Sequence, residues 1–294
     1  MASILNNLKQ EFREGNILNK LIYINVGLFL LFSILGVFSF MFQFDINPIL
    51  NKLYLPANNN TLLKQPWAFI TYMFLHSGFL HLLFNMVWLH FGGKIFLQYL
   101  KPKQLLSTYI LGGISGGLLF ILAFNYIPAL QGFSSGAMAL GASASVLAVM
   151  VAIATYSPNY SINLPFIGIV KLKHIAIVCV VLDVLSIPNG NTGGHIAHLG
   201  GAIFGYFYIK QLQKGNDISN GFSNFLSRLI NTFKTKSKSK LKTVHKKSKS
   251  DYAFNKTRAN QQKEIDIILE KIAKSGYESL SKSEKATLFS ASKK

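Results

Sequence analysis

Between Leu21 and Phe44 the chain carries no lysine, arginine, aspartate or glutamate, and the same holds from Gln65 to Gly93. Each run exceeds the roughly 20 residues a helix needs to cross the hydrocarbon core of a bilayer. The first run is too long for the apolar core of a signal peptide and no small-residue cleavage site follows it, so it reads as a retained span. Charged residues make up 14% of the 294 residues, well below the usual share of about 25%. They are also segregated. The net charge of +19 suggests nucleic acid until its distribution is seen, because most of the excess lies after residue 210. Nucleic acid is therefore not expected as a partner. The single cysteine, Cys179, allows no intrachain disulfide.

Six spans are expected, over roughly 21–43, 78–93, 104–127, 139–156, 173–187 and 195–213. The predicted fold is an all-α membrane protein, a six-helix bundle with a small soluble helical tail. Connections alternate in charge. Lys9, Arg13 and Lys20 precede the first span, Lys94, Lys101 and Lys103 follow the second, and Lys171 and Lys173 follow the fourth. The loops after spans three and five carry no charge. The positive-inside rule then places both termini in the cytoplasm of a multi-pass plasma-membrane protein.

The predicted domains are an N-terminal cytoplasmic segment (1–19), the membrane domain (20–213), a basic flexible linker (214–259) and a short helical hairpin (260–294). The linker is Ser/Lys/Asn-rich, with Lys-Ser alternation over 234–240. Its charge suits anionic lipid, and an unknown cytoplasmic partner is the other reading for the tail. From Gln261, Ile265, Ile268, Leu269 and Ile272 form one apolar face. Gly276 is the expected stop, and Ser281 with Glu284 has capping-box spacing.

Small residues recur four apart: Gly112/Gly116 and Gly113/Gly117 in span three, Ala144/Ala148/Ala152 in span four, Gly201/Gly205 in span six. Such faces let membrane helices approach closely. In span three generic packing is the reading. In spans four and six the same approach would bring Ser143 beside His198.

Spans two, four and six run in the same direction, so their early residues share one side of the membrane. His81 and Asn85, Ser143, and His198 all lie early in those spans. Polar groups in lipid are costly and mark functional sites. A serine hydroxyl is a weak nucleophile that needs a base within hydrogen-bond reach, and His198 is the candidate. Asp183 lies late in span five and is not expected to orient His198, so a Ser-His dyad is the reading. The candidate oxyanion donors are Asn85, His81 and the Ser143 amide, with Ala142 supporting. Gly141, Ala144, Gly201 and Gly205 are assigned to close packing, and Ser145 to structure. His195 is placed at the loop edge, one turn before His198.

These motifs, His81-x-x-x-Asn85, Gly141-x-Ser143 and Ala197-His198-x-x-Gly201-x-x-x-Gly205, resemble those of the rhomboid intramembrane serine proteases, bacterial members in particular. The resemblance spans roughly 20–213. It implies a six-helix bundle, a Ser143–His198 dyad, transmembrane protein substrates and no cofactor or metal. It also implies that 44–77 packs as a partly embedded loop, and that 188–194 with span five caps the site. Three positions depart from common family patterns: Ala144 after the serine, Ala68 after Trp67, and Leu147 where some members place a ring beside the histidine.

Three other readings compete. An inactive relative would bind membrane clients without cutting them. A metal-dependent membrane hydrolase would use His76, His81, His195 and His198, without the firm spacing of His-Glu-x-x-His. A channel or transporter would need mid-membrane charge, for which Asp183 is the one candidate.

Overall fold

The computed structural model describes residues 15–164, 168–233 and 251–292, which fall into two compact units, one up to residue 233 and one from residue 251. In the first unit six helices coincide with the expected spans: α1 (Ile17–Phe42), α2 (Phe79–Tyr99), α3 (Pro102–Tyr126), α4 (Ser143–Tyr156), α5 (Leu172–Ser186) and α6 (Thr192–Gln213). Among the described residues, α1, α2 and α3 are long and apolar enough to cross a membrane.

α1 begins where the Asn16 side chain accepts the Asn19 amide at 3.0 Å, and ends where Gln43 turns left-handed at φ 56°. Leu18, Leu21 and Asn25 are its buried residues, while Leu30, Leu31, Ile34, Val37 and Phe38 are exposed. An apolar face of that extent suits lipid, not water. Asn25 is fully buried, and its amide donates to Leu21 O at 2.8 Å and to the Tyr109 hydroxyl at 3.1 Å. Tyr109 in turn donates to Met73 O at 3.1 Å. One polar relay thus ties α1 to α3 and to the segment before α2, as hydrogen-bonding side chains do between membrane helices.

α4 is the central helix, buried from Ala144 to Ala154. The small residues are what let α3 and α6 close on it. A Cβ on Gly201 would stand 2.1 Å from Ala144 O, and one on Gly205 2.3 Å from Ala148 O. From α3, a Cβ on Gly112 would meet Ala148 Cβ at 2.3 Å, and one on Gly116 would meet Ala144 Cβ and Ala197 O at 2.6 Å. Gly112 and Gly116 are thus specific contacts of α4, whereas a Cβ on Gly117 would meet Leu55 at 2.6 Å. At 14 residues, α4 is about 21 Å long, short of the ~30 Å hydrocarbon core. The chain ahead of it is extended instead of helical as expected. There β2 (Met138–Ala139) pairs antiparallel with β1 (Leu55–Pro56), Leu55 opposite Ala139.

The 44–77 segment packs on this core through short helical turns. Leu55, Ala57, Ala68, Tyr72 and Met73 are buried, and the Tyr72 hydroxyl donates to Gly113 O at 2.5 Å. Trp67 is half exposed, and its indole donates to Lys52 O at 2.7 Å. A hairpin of β3 (Ser161–Leu164) and β4 (Gly168–Lys171) joins α4 to α5. The two small sheets add to an architecture expected to be purely helical.

The predicted flexible linker needs correction. Ile218–Phe233 forms α7, because Phe222, Phe225, Leu226, Leu229 and Phe233 recur at helical spacing among the serines and asparagines. Asp217 caps it, accepting from the Ser219 amide at 3.0 Å and from Gln104 of α3 at 3.0 Å. Burial pushes the Asp217 carboxyl up, but these donors and the Ser219 hydroxyl hold it below the usual carboxylate range. The Lys-Ser alternation at 234–240 lies outside the described residues.

The second unit contains α8 (Asp251–Ser275), which starts about ten residues earlier than expected, and α9 (Lys282–Ser292). Gly276 ends α8 with φ 76°. The capping box forms: the Ser281 amide donates to Glu284 Oε2 at 2.6 Å, and the Glu284 amide to Ser281 Oγ at 3.3 Å. The Ser281 amide, then the Lys271 ammonium, hold the Glu284 carboxyl down from 4.5 to about 2.

Two predictions follow from this packing. Gly201→Ala and Gly205→Ala each overfill the α4–α6 contact, at a cost of about 1–3 kcal/mol. Gly136→Ala meets nothing within 4 Å and serves as the control. Thermal unfolding in detergent should show both former variants several degrees below the control; three equal midpoints would refute the close approach. The Glu284 cap is fully present above pH 4.5 and is lost as pH falls toward about 2. Amide exchange over 281–285, corrected for intrinsic rates, should therefore be faster at pH 3 than at pH 6, and pH-independent protection would count against the cap.

Candidate active site

Ser143 is the first residue of α4, and His198 sits in the second turn of α6. The close α4–α6 approach below them brings Ser143 Oγ to 2.6 Å from His198 Nε2. The turn into α4 depends on Gly141, whose φ of 124° is open to glycine and strained for other residues. Its amide donates to Tyr72 O at 2.9 Å. A Cβ there would also lie 2.9 Å from the His81 ring and 3.5 Å from Ser143 Oγ. Gly141 therefore serves both the turn and the approach of His81 to the serine.

His81 Nδ1 lies 3.1 Å from Ser77 Oγ. With Ser77 donating, Nε2 carries the proton and faces Gly141 beside Ser143. Asn85 is buried one turn further along α2, and one of its amide hydrogens goes to His81 O at 2.8 Å. That leaves its second hydrogen for another acceptor. Ala142 occupies the cap position of α4, so the Ser143 amide is among the first helical N–H groups, which have no acceptor within the helix. The positive end of the α4 dipole favours negative charge at this point.

Two cavities of about 340 and 320 Å³ meet here, sharing His81, Leu140, Ser143, Asn191 and Gly194. The second is also lined by Asn85, Trp88 and His198. Their size, and the mix of polar and apolar side chains that line them, suit water as well as a short peptide segment. Asn191 and Gly194 come from the loop and first turn before His198, the region the resemblance placed over the site.

Two residues stand at the site that the sequence reading did not place there. Asn191, at φ 48°, lines both cavities. Asp183, not expected to orient His198, lies against its ring: its Oδ1 lies 2.8 Å from Nδ1 of His198 and 2.8 Å from Nδ1 of His195. The usable signal was scarcity, since Asp45 and Asp183 are the only acidic residues between 15 and 216. Ser145 is buried, facing Met73 Sδ at 3.8 Å. Leu147 is buried in the core.

The four-histidine metal set does not assemble. His76 and His81 stack edge-on at 5.1 Å, whereas His195 and His198 gather around Asp183. Among the described residues, Asp183, His195 and His198 form the one group whose ligand atoms lie close enough to share an ion, within 4.8 Å of one another.

This arrangement agrees with what the chain is similar to. The rhomboid domain family matches residues 63–214, more than half of the chain, and the chain belongs to the rhomboid family. A family of unknown function (DUF6576) matches residues 249–294. RHOMBOID-like protein 12, mitochondrial, of Arabidopsis thaliana is 26% identical over 70% of this chain and 61% of its own length. Rhomboid protease GlpG of Yersinia pseudotuberculosis is 27% identical over 53% of this chain and 51% of its own. Inactive RHOMBOID-like protein 8 of Arabidopsis thaliana is 34% identical over 29% of this chain and 23% of its own. The chain thus spans less than two thirds of each of these relatives. The family is membrane-embedded, and the relatives include mitochondrial proteins, so similarity points to no bacterial origin in particular.

Replacing Asn85 by alanine removes an amide donor from the cavity wall. Losing one oxyanion donor costs about 2.7–4 kcal/mol of transition-state stabilisation. In a hydrolase with its oxyanion at this cavity, Asn85→Ala is expected to lower kcat about a hundredfold or more with KM little changed. A change confined to KM would assign Asn85 to binding instead.

Proposed function

We propose that this chain is an intramembrane serine endopeptidase that cuts transmembrane segments of protein substrates near the outer face of the membrane. The observation that carries this reading is the 2.6 Å contact between Ser143 Oγ and His198 Nε2 beside a cavity of about 320 Å³. In this reading all six helices span the bilayer, with both termini on the positively charged side. The membrane is a bacterial plasma membrane, and the basic tail faces anionic lipid or an unknown partner there.

Ser143 donates its proton to His198 as its oxygen attacks the scissile carbonyl. The resulting oxyanion lies at the N-terminus of α4, within reach of the Ser143 amide and of the His81 and Asn85 donors. His198 then protonates the leaving amine, and the C–N bond breaks to leave an acyl-serine. A water entering by the cavity, deprotonated by His198, hydrolyses that ester and regenerates the hydroxyl. The substrate helix must unwind to present its carbonyl, which residues of low helix propensity near the cut make easier.

A non-cutting, client-binding role is the second reading, favoured by the similarity to an inactive family member. One experiment separates the two. Purified protein is incubated with a fluorophosphonate probe and a single-span substrate, alongside Ser143→Ala and His198→Ala. The protease reading expects labelling and cleavage by wild type, and neither by the two variants. Wild type that retains its fold yet neither labels nor cuts would support the client-binding reading, and cleavage by Ser143→Ala would refute the nucleophile.

A further inference from the structure

The structure assigns Asp183 as a positioning residue that fixes the His198 base through Oδ1 and is itself held by His195. The inference rests on the protease reading above and replaces its dyad with a relay of four side chains.

The geometry is specific. Asp183 lies on the last turn of α5, His195 and His198 one turn apart on α6. Both imidazoles place Nδ1 at 2.8 Å from the same oxygen, with their rings nearly perpendicular at 85°. The Asp183 side chain is 12% exposed and the two imidazoles about a fifth. A carboxylate so enclosed needs hydrogen-bond donors, and here the donors are two ring N–H groups. Because an ionised carboxylate only accepts, both Nδ1 atoms must carry their protons. A neutral imidazole protonated at Nδ1 has its lone pair at Nε2, and the Nε2 of His198 is the atom facing Ser143 Oγ. Asp183 therefore selects the tautomer that can act as base.

His195 gives the arrangement its rigidity. It binds the same oxygen from a turn earlier, so Oδ1 is fixed from two directions. The spacing also speaks for hydrogen bonds over a shared ion: two ligands each about 2.05 Å from one tetrahedral zinc stand ~3.3 Å apart, not 2.8 Å. During attack the Oγ–H bond breaks and the proton moves to Nε2. Asp183 stays ionised beside the imidazolium, and the same proton passes to the leaving amine as the C–N bond breaks. Among the described residues, His81 of α2 is a further titratable group near the His198 ring, and Cys179 lies one turn before Asp183 on α5.

The test uses the full chain in detergent: wild type, Asp183→Asn, Asp183→Glu and His195→Gln, each checked for its thermal midpoint. Single-span cleavage gives kcat and KM across pH, and a fluorophosphonate gives the labelling rate. In a serine hydrolase triad, the corresponding asparagine costs about 10⁴-fold in kcat. Here Asp183→Asn is expected to lower kcat and labelling at least about tenfold with KM within about twofold. The acid limb of its pH profile moves to lower pH, because the imidazolium loses its counter-charge. Asp183→Glu restores part of the rate, and His195→Gln loses less than Asp183→Asn. If Asp183→Asn fails to fold, the kcat of Asp183→Glu and the kcat of His195→Gln decide: both at the wild-type value overturn the inference. Asp183→Asn with wild-type kcat and pH profile overturns it directly, as does activity lost to a chelator and restored by zinc. Wild type that is inactive brings down the protease reading, and the positioning role with it.

Discussion

The contact on which the first unit depends is the meeting of two helix backbones. Where Gly201 and Gly205 face the carbonyls of Ala144 and Ala148, not even a methyl group fits between α4 and α6. Helices in lipid gain little from hiding apolar surface, since the solvent is itself apolar, and hold together by close packing and polar contacts. Gly112 and Gly116 repeat the device from α3. With three helices locked at this spacing, the distance between a side chain at the top of α4 and one at the top of α6 has little freedom. The 2.6 Å separation of Ser143 and His198 follows from backbone packing several ångströms below it.

A second layer adds polarity without adding risk. The Asn25–Tyr109–Met73 relay and the Asp217 cap both satisfy buried polar groups while joining elements far apart in sequence. The histidine pair on Asp183 follows the same rule at the site itself. Ser143 of α4, His198 of α6 and Asp183 of α5 each meet a partner from a different helix, so the site is assembled by tertiary structure and absent from any single segment.

Much of this was legible in the sequence, and the reasons are physical. Charge-free runs announce helices in lipid directly, and the six helices fall within a few residues of expectation. His81, Asn85, Ser143 and His198 were readable because three helices running the same way place their early residues at similar depth. Asp183 was not, because fifteen residues and a loop separate it from His198 and hide the rotational phase of α5 against α6. α7 was lost for another reason: its serines and asparagines are interspersed among the apolar residues, and its apolar stripe shows only when the spacing is counted. The start of α4 was placed at 139 instead of Ser143, since apolar residues read alike whether extended in a pairing with β1 or wound into a helix.

The brevity of α4 has one more consequence. Walled in by protein along its length, it has no need to match the thickness of the bilayer. Its 14 residues can then serve as a gauge. In the protease reading, the plane in which a peptide bond meets Ser143 is set by the number of turns between that serine and Tyr156. Each residue added to or removed from α4 would shift that plane by about 1.5 Å. Depth of cutting would then belong to the enzyme's architecture, and a substrate would be read by which of its bonds it can bring to that level.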